Sequence, residues 1–277
     1  MSKYVPDISS KRWVIIASGR IKKPEDVGKS EKKPKACPFC PGNESLTPPE
    51  VFRIGQREAN TLGWQVRVIP NKFPITDIHE VIIHSPDHNR DFIEFSQGQI
   101  ENVFQAYKAR YNFYKDRGQV LIFCNHGEHS GASLTHPHSQ LVVIPNQINL
   151  DTLAKEPLNN IVDENKFFMV YCPDFSQWPY ETWITPKEPN KFFGQINNEE
   201  IEDLSAIVKK ILTRLKTIGY KKNLVRDNFA YNFYIYPGKD WYLRIIPRLV
   251  HRAGFELGTG LSVNIVDPTL AAEEIRD

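Results

Sequence analysis

Apolar and polar residues alternate along Trp64-Gln65-Val66-Arg67-Val68-Ile69 before Pro70, the period-two signature of a half-buried strand. Short apolar runs at 13–17 (WVIIA) and 80–84 (EVIIH) predict two more strands, the first one buried and the second closed by Ser85-Pro86. Between 97 and 115 the period changes: Ile100, Val103, Phe104, Tyr107, Tyr111 and Tyr114 recur at spacings of three and four, which predicts a helix capped by Ser96. Strands follow at 119–124 (QVLIFC) and 139–144 (SQLVVI), separated by a Gly- and His-rich loop at 125–138. The second half runs through the same order. Strands are expected at 167–172 and 181–184. An amphipathic helix at 198–216 puts Ile201, Leu204, Ile207, Val208, Ile211, Leu212 and Leu215 on one face, and strands follow at 229–236 and 241–246.

The halves superpose. Glu80-Val81-Ile82-Ile83 lines up with Glu181-Thr182-Trp183-Ile184, and Ser139 to Pro145 with Trp241 to Pro247, at offsets of 101 and 102 residues. A duplicated unit of strand, helix and two strands accounts for this. A strand pair after each helix predicts an α+β fold with a mostly antiparallel sheet. The expected units are 1–150 and 151–277.

Composition narrows the classes. The chain has 277 residues, 40% hydrophobic and 25% charged, with 35 basic and 33 acidic residues for a net charge of +2. Such a chain can bury a large core, and global disorder is excluded. The near-neutral balance argues against a nucleic-acid partner. No stretch approaches the roughly 18 continuous apolar residues of a membrane helix, and the first residues lack an apolar leader core, so neither membrane insertion nor secretion is expected. Four cysteines are too few for a disulfide scaffold, and the expected compartment is the cytoplasm.

Two segments carry chemistry. Cys37-Pro38-Phe39-Cys40 lies in a loop-like stretch at 20–50, and two thiolates three positions apart can grip a tetrahedral zinc ion. A redox pair or inert thiols are the competing readings. Zinc would need two further ligands. His136-Pro137-His138-Ser139-Gln140 places two imidazoles and an amide on one face of an extended segment. One histidine can bind metal while the other attacks phosphorus, and the neutral Gln140 can donate a hydrogen bond to a phosphoryl oxygen. The approach loop, Asn125 to Ser133, holds two glycines and can bring backbone N–H groups to an anion. His126 and His129 read as loop residues, and Cys124 and Cys172, in apolar runs, as buried thiols.

The spaced pattern N-x-G-x-x-x-G-A-S-x-x-H-P-H-S-Q resembles the active-site signature of the galactose-1-phosphate uridylyltransferase family, the transferase branch of the histidine triad superfamily. Trp13 to Ile16 with Arg20, C-P-F-C-P-G-N, Val68 to Pro74, Ser85-Pro86-Asp87-His88 and Gly254-Phe255-Glu256 agree in order, so the resemblance spans about residues 7 to 265. It implies two fused histidine-triad-like units sharing one extended, mostly antiparallel sheet with flanking helices. It implies Cys37, Cys40, His88 and His136 as ligands of one structural zinc per chain, and His138 as the nucleophile that carries a nucleotidyl group. Gln140, Asn125 and Ser133 match phosphate positions, with Asn125 also placed to orient His138. Arg20, Asn71 and Phe73 match positions that hold nucleotide. Glu256 matches a sugar-hydroxyl contact that the family often makes across a dimer interface, so a homodimer is expected.

Departures refine this. Gly238 and Asp240 stand where the second half would carry His136 and His138, so an active site is expected in the first unit alone. The H-x-H-S-Q motif and the G-F-E-L-G-T-G stretch look more like the branch that includes ADP-glucose phosphorylase. The leading expectation is transfer of a nucleoside monophosphate from a nucleotide sugar such as UDP-glucose to a sugar 1-phosphate, as in galactose metabolism. The alternative is a phosphorylase with phosphate as acceptor, acting on ADP-glucose or a dinucleoside polyphosphate. A hydrolase is disfavoured by Gln140 in place of a third histidine. A zinc-stabilised nucleotide- or RNA-binding module is the non-enzyme alternative.

Overall fold

The computed structural model describes residues 2–7, 12–18, 20, 36–56, 58–150, 158–225 and 228–277. About half of the expected loop at 20–50, namely 21–35, lies outside the described residues, as do 151–157 beside the expected boundary between the units.

Strands β1 (Lys3–Asp7) and β2 (Arg12–Ile16) form a separate antiparallel ribbon, with Tyr4 opposite Ile15. The apolar run at 13–17 is therefore a strand but not a buried one: Trp13, Val14 and Ile16 are 39%, 55% and 48% exposed. A two-stranded ribbon has too little surface to cover both of its faces.

The body is a ten-stranded sheet in which every neighbouring pair is antiparallel. Its first unit contains β3 (Phe52–Gly55), β4 (Trp64–Pro70), β5 (His79–Ile83), helix α1 (Gln97–Tyr114), β6 (Gln119–His126) and β7 (His138–Ile144). Its second contains β8 (Ile161–Glu164), β9 (Phe168–Tyr171), β10 (Thr182–Pro186), helix α2 (Asn198–Lys221), β11 (Tyr231–Ile235) and β12 (Leu243–Pro247). Helices α3 (Gly254–Thr259) and α4 (Pro268–Arg276) close the chain. The spatial order is β3-β4-β5-β7-β6-β11-β12-β10-β9-β8. Read inward from either edge, it meets the same succession of elements, and the units join along β6 and β11, where Asn125 faces Asn232. None of the described helices is long and apolar enough to cross a membrane.

Both long helices start where their side chains cap them. Ser96 accepts from the Gln99 N–H, and Asn197 and Glu200 form a reciprocal capping box on α2. The predicted stripe of α2 is buried throughout, and Ile218 extends it. The helix therefore continues to Lys221 and ends before Asn223, whose φ is 56°. Both helices cover one face of the sheet, over Val66, Val68, Ile82, Leu141, Val143, Leu243 and Ile245. At this interface Arg110 of α1 holds Glu80 of β5 through two bonds, Nε to Oε2 at 2.9 Å and Nη2 to Oε1 at 2.6 Å.

The pleat corrects one half of the internal superposition. The 102-residue offset keeps phase, since Leu141 and Val143 match Leu243 and Ile245 on the helix side. The 101-residue offset does not. It sets Ile82, under the helices, against Trp183, which stacks on Tyr242 at 4.0 Å on the other face. A shift of one residue reverses every side chain in a strand.

Candidate active site and metal centre

The open face of β5 and β7 is where the chemistry gathers. Leu141 and Val143 point to the helices, so His138 and Gln140 point away from them. They enter a cleft walled by Pro38, Phe39 and Leu46 to Pro48 on one side and Ile69 to Phe73 on the other. Val81, Ser133 and Leu134 complete it.

The loop from Cys37 to Thr47 is held by its own turns. Cys40 N–H donates to the Cys37 carbonyl, and Asn43 Nδ2 donates to the same oxygen at 2.8 Å. Glu44 accepts from Gly42 N–H and from Trp64 Nε1, both at 2.9 Å. Arg67, buried in β4, donates to Thr47 Oγ1 and Glu50 Oε2, each at 2.9 Å. These bonds bind the loop to the sheet and set its two thiols beside His88 and His136. The four ligand atoms of Cys37, Cys40, His88 and His136 all lie within 4.8 Å of one another, so the group can hold a metal ion.

The fit is good. Tetrahedral coordination with sulfur at about 2.3 Å and nitrogen at about 2.0 Å requires sulfur–nitrogen separations of about 3.5 Å. Here His136 Nδ1 stands 3.8 and 3.7 Å from the two sulfurs, and His88 Nδ1 stands 3.2 Å from Cys40 Sγ. The tautomer fits as well. His136 Nε2–H donates to the Ser85 carbonyl at 2.8 Å, which leaves Nδ1 with its lone pair toward the thiols. Burial lowers His136 to about 4 and keeps it neutral. Burial pushes the Cys37 thiol up to about 11 with Cys40 alongside, and a dication would reverse that shift.

His136 also orients its neighbour. His138 Nδ1–H donates to the His136 carbonyl at 2.8 Å, so Nε2 is the nitrogen that keeps a lone pair. A nucleophile needs that tautomer. Under β7, Ser139 Oγ meets His84 Nε2 at 2.7 Å and the Tyr107 hydroxyl at 2.5 Å, a buried knot that pins the strand to α1. Gln140 Oε1 lies 2.9 Å from His79 Nε2 and 3.4 Å from Asn71 Nδ2.

The other expected site residues divide. Asn71, Phe73 and Ser133 line the cleft. Arg20 donates to the Phe73 carbonyl at 2.5 Å, so within this chain it braces the cleft wall. Asn125 sits behind His138, in a narrow space shared with His84 and Asp91, and accepts from Asn232 Nδ2 at 2.7 Å. Glu256 is not brought to the cleft. It lies in the first turn of α3 and accepts from the Ala253 N–H at 3.0 Å. Cys124 and Cys172 are buried thiols raised to about 12 by that burial.

Sequence reasoning missed several groups. His126 is not a loop residue: it ends β6, stacks on Tyr231 and lies 3.0 Å from the buried Asp91. Burial raises Asp91 to about 7, with Glu94 adding to the rise, and lowers His126 to about 4. Lys72 at the cleft rim, Arg67 and Glu44 under the loop, and His79 behind Gln140 were also missed. Arg67 meets Thr47 and Glu50, Glu44 meets Trp64 and His79 meets Gln140, partners 17 to 61 residues away that nothing local in the sequence announces.

Comparison with known proteins places this arrangement. The family model described as galactose-1-phosphate uridyl transferase, N-terminal domain, matches residues 76–144, which run from β5 through β7. ADP-glucose phosphorylase of Arabidopsis thaliana is 28% identical over 98% of this chain and 91% of its own. Galactose-1-phosphate uridylyltransferase of Thermotoga maritima is 22% identical over 96% of this chain and 95% of its own. The crystal structure of an ADP-glucose phosphorylase from Arabidopsis thaliana with bound ADP-glucose superposes with a TM-score of 0.74 at 26% identity, covering 100% of this chain and 99% of that one. The matched segment spans the candidate site, and the likeness to galactose-1-phosphate uridylyltransferases and to ADP-glucose phosphorylase extends along nearly the whole chain.

Proposed function

We propose that the protein is a nucleotidyltransferase that moves a nucleoside monophosphate from a nucleotide sugar through a covalent bond to His138. One observation carries the reading: His138 gives Nδ1–H to the His136 carbonyl and turns Nε2 toward a cleft shared with Gln140. In the first step the Nε2 lone pair attacks the α-phosphorus, the bond to the bridging oxygen breaks, and sugar 1-phosphate leaves. The imidazole gains positive charge as the bond forms, so its bond to the His136 carbonyl becomes charge-assisted and strengthens in the transition state. The leaving phosphate is already stable as an anion, so no general acid is required. The neutral Gln140 stabilises the equatorial oxygens. In the second step an acceptor phosphate oxygen attacks the nucleotidyl-histidine and restores neutral His138.

The acceptor is a sugar 1-phosphate in the leading reading, with UDP-glucose as donor. Phosphate acting on ADP-glucose is the second reading, favoured by the likeness to ADP-glucose phosphorylase along nearly the whole chain. In this proposal Asn71 and Phe73 hold nucleotide, Arg20 braces Phe73, and Asn125 and Ser133 serve the phosphate loop. The chain is read as two histidine-triad-like units, 1–150 and 151–277.

One zinc ion per chain would be held by Cys37, Cys40, His88 and His136, whose two sulfurs and two nitrogens suit it. It would supply a structural cross-link between the loop and β7. A homodimer is supported by exposed Phe255, Leu257, Leu261 and Val263 around Glu256, which would reach the partner's cleft. A cytoplasmic location is supported by the Cys37–Cys40 pair, whose thiolates can hold a metal only where they stay reduced.

Intact-protein mass spectrometry after brief incubation with UDP-glucose or ADP-glucose tests the chemistry. A gain of one UMP or AMP, absent in His138→Ala, is the expected result. The same gain in His138→Ala would move the nucleophile elsewhere. Chasing the adduct with sugar 1-phosphate or with phosphate then identifies the acceptor.

A further inference from the structure

Gln140 can help a phosphoryl group only with its NH2 end; its carbonyl would repel the anion. Which end faces the cleft is decided by hydrogen bonding. The Ile75 backbone N–H, which can only donate, points at His79 Nδ1 from 2.9 Å. Nδ1 therefore carries a lone pair, and the neutral ring bears its proton on Nε2. That proton points at the Gln140 side chain 2.9 Å away, so the atom it meets is the carbonyl oxygen Oε1. Asn71 lies in the same knot: its Oδ1 accepts from the Phe73 N–H at 2.8 Å, which turns its NH2 inward, 3.1 Å from His79 Nε2 and 3.4 Å from Gln140 Oε1; with His79 Nδ1 already accepting from Ile75, the Gln140 oxygen is the acceptor that both donors share. Both donors are tied to backbone N–H groups, so neither can reverse without leaving a backbone donor unpaired. His79 and Gln140 are only 5% and 8% exposed, so water does not compete freely for these bonds. The placement follows from the ladder. Gln140 of β7 faces Val81 of β5, and His79 lies two residues along that strand on the same face.

We propose that His79 is a positioning residue: its Nε2–H anchors the Gln140 carbonyl so that the carboxamide NH2 faces the transferred phosphoryl group. The role rests on the nucleotidyl-transfer reading; the hydrogen-bond arrangement does not, and each can be tested without the other. In the metal-loaded protein, long-range ¹H–¹⁵N spectra of the histidine side chains report the tautomer, with the His79 signals identified by their loss in His79→Phe. A neutral Nε2–H ring at pH 7 is expected. An Nδ1–H ring or an imidazolium would overturn the proposal whether or not the protein turns over. The kinetic arm measures the single-turnover rate of adduct formation on His138. His79→Phe is expected to slow that rate about 10- to 100-fold with little change in KM, within the range for losing one oriented donor. His79→Gln, whose amide can donate from the same position, is expected to recover most of it. In a Gln140→Ala background His79→Phe should change the rate less than threefold. An equal fold-loss in both backgrounds would show that His79 does not act through Gln140. If the parent protein forms no adduct with any nucleotide sugar, the transfer reading fails and the tautomer decides the arrangement alone.

Discussion

At the scale of single residues, the Asp91–His126 pair gives a signed pH prediction. An unfolded aspartate titrates near 4 and an unfolded histidine near 6.5. In the fold Asp91 is raised to about 7 and His126 lowered to about 4, both chiefly by burial. Folded and unfolded pairs therefore each hold one proton from about pH 4 to 6.5, and the parent pair adds little pH dependence in that window. Tyr231 is pushed well above its usual range by burial, and Glu94, lowered to about 2 chiefly by its hydrogen bond with Asp91, would relax in an Asp91→Asn variant toward its ordinary value of 4.5, at the lower edge of the window. Asp91→Asn removes the raised carboxyl and leaves the lowered histidine. The unfolded variant then binds a proton that the folded variant refuses. Relative to the parent, its stability should rise with pH from about 4 to 6.5, by about 3 kcal/mol at most. Paired thermal melts at pH 5 and pH 7.5 read this directly, and a constant difference in Tm would refute the assignment. The contrast with His138 shows what the sequence makes legible. His136, His138 and Gln140 are neighbours at period two, so their common face can be read from spacing alone. Asp91 and His126 come together through the fold, as do His79 and Gln140, and no spacing rule connects them.

At the scale of elements, the loop from Cys37 to Thr47 carries two of the four candidate metal ligands and also walls the cleft, since Pro38, Phe39, Leu46 and Thr47 line the space beside His138. Removing the metal with a chelator should lower Tm, because the ligands tie this loop to β7. It should also weaken nucleotide binding, because the wall loosens with the loop. Calorimetry on the apo and reconstituted protein separates the two effects, and unchanged nucleotide affinity in an apo protein of lower Tm would show that the wall stands without the metal. Helix α2 offers a quieter test. Asn197→Ala removes the acceptor for the Glu200 N–H and should cost about 1 kcal/mol in denaturant unfolding, with adduct formation unchanged. Both long helices were legible because a 3.6-residue stripe over several turns has few imitators. Strands β3 and β8, with four residues each, were not: they lie at the sheet's edges, where pairing to one neighbour replaces any pattern of their own. The run at 13–17 failed in the opposite sense, for an apolar strand has the same signature whether the fold covers it or not.

At the scale of the whole molecule, the two units share a plan and differ in what fills the open face. Where the first unit has a cleft, the second stacks Trp183, Tyr242 and Tyr236, with ring centroids 4.0 and 5.0 Å apart, over a buried Glu181–Arg244 pair. Side chains that fill a face for packing leave no room for substrate, so the proposed chemistry is confined to β5 and β7. This division bears on Glu256, which the single chain keeps out of its own cleft. Its helix α3 opens a segment that exposes Phe255, Leu257, Leu261 and Val263, apolar side chains that a second copy could cover. If that segment packs against a second copy and delivers Glu256 to the partner's cleft, each site is built from two chains. Glu256→Ala and His138→Ala should then each be poorly active alone. Mixed and allowed to exchange subunits, they should complement. Half the dimers would be mixed, and one of the two sites in each would pair an intact His138 with an intact Glu256, giving about a quarter of the parental activity. A mixture that never exceeds the average of its components would place Glu256 outside the site, and a monomer in sedimentation would remove the shared site altogether.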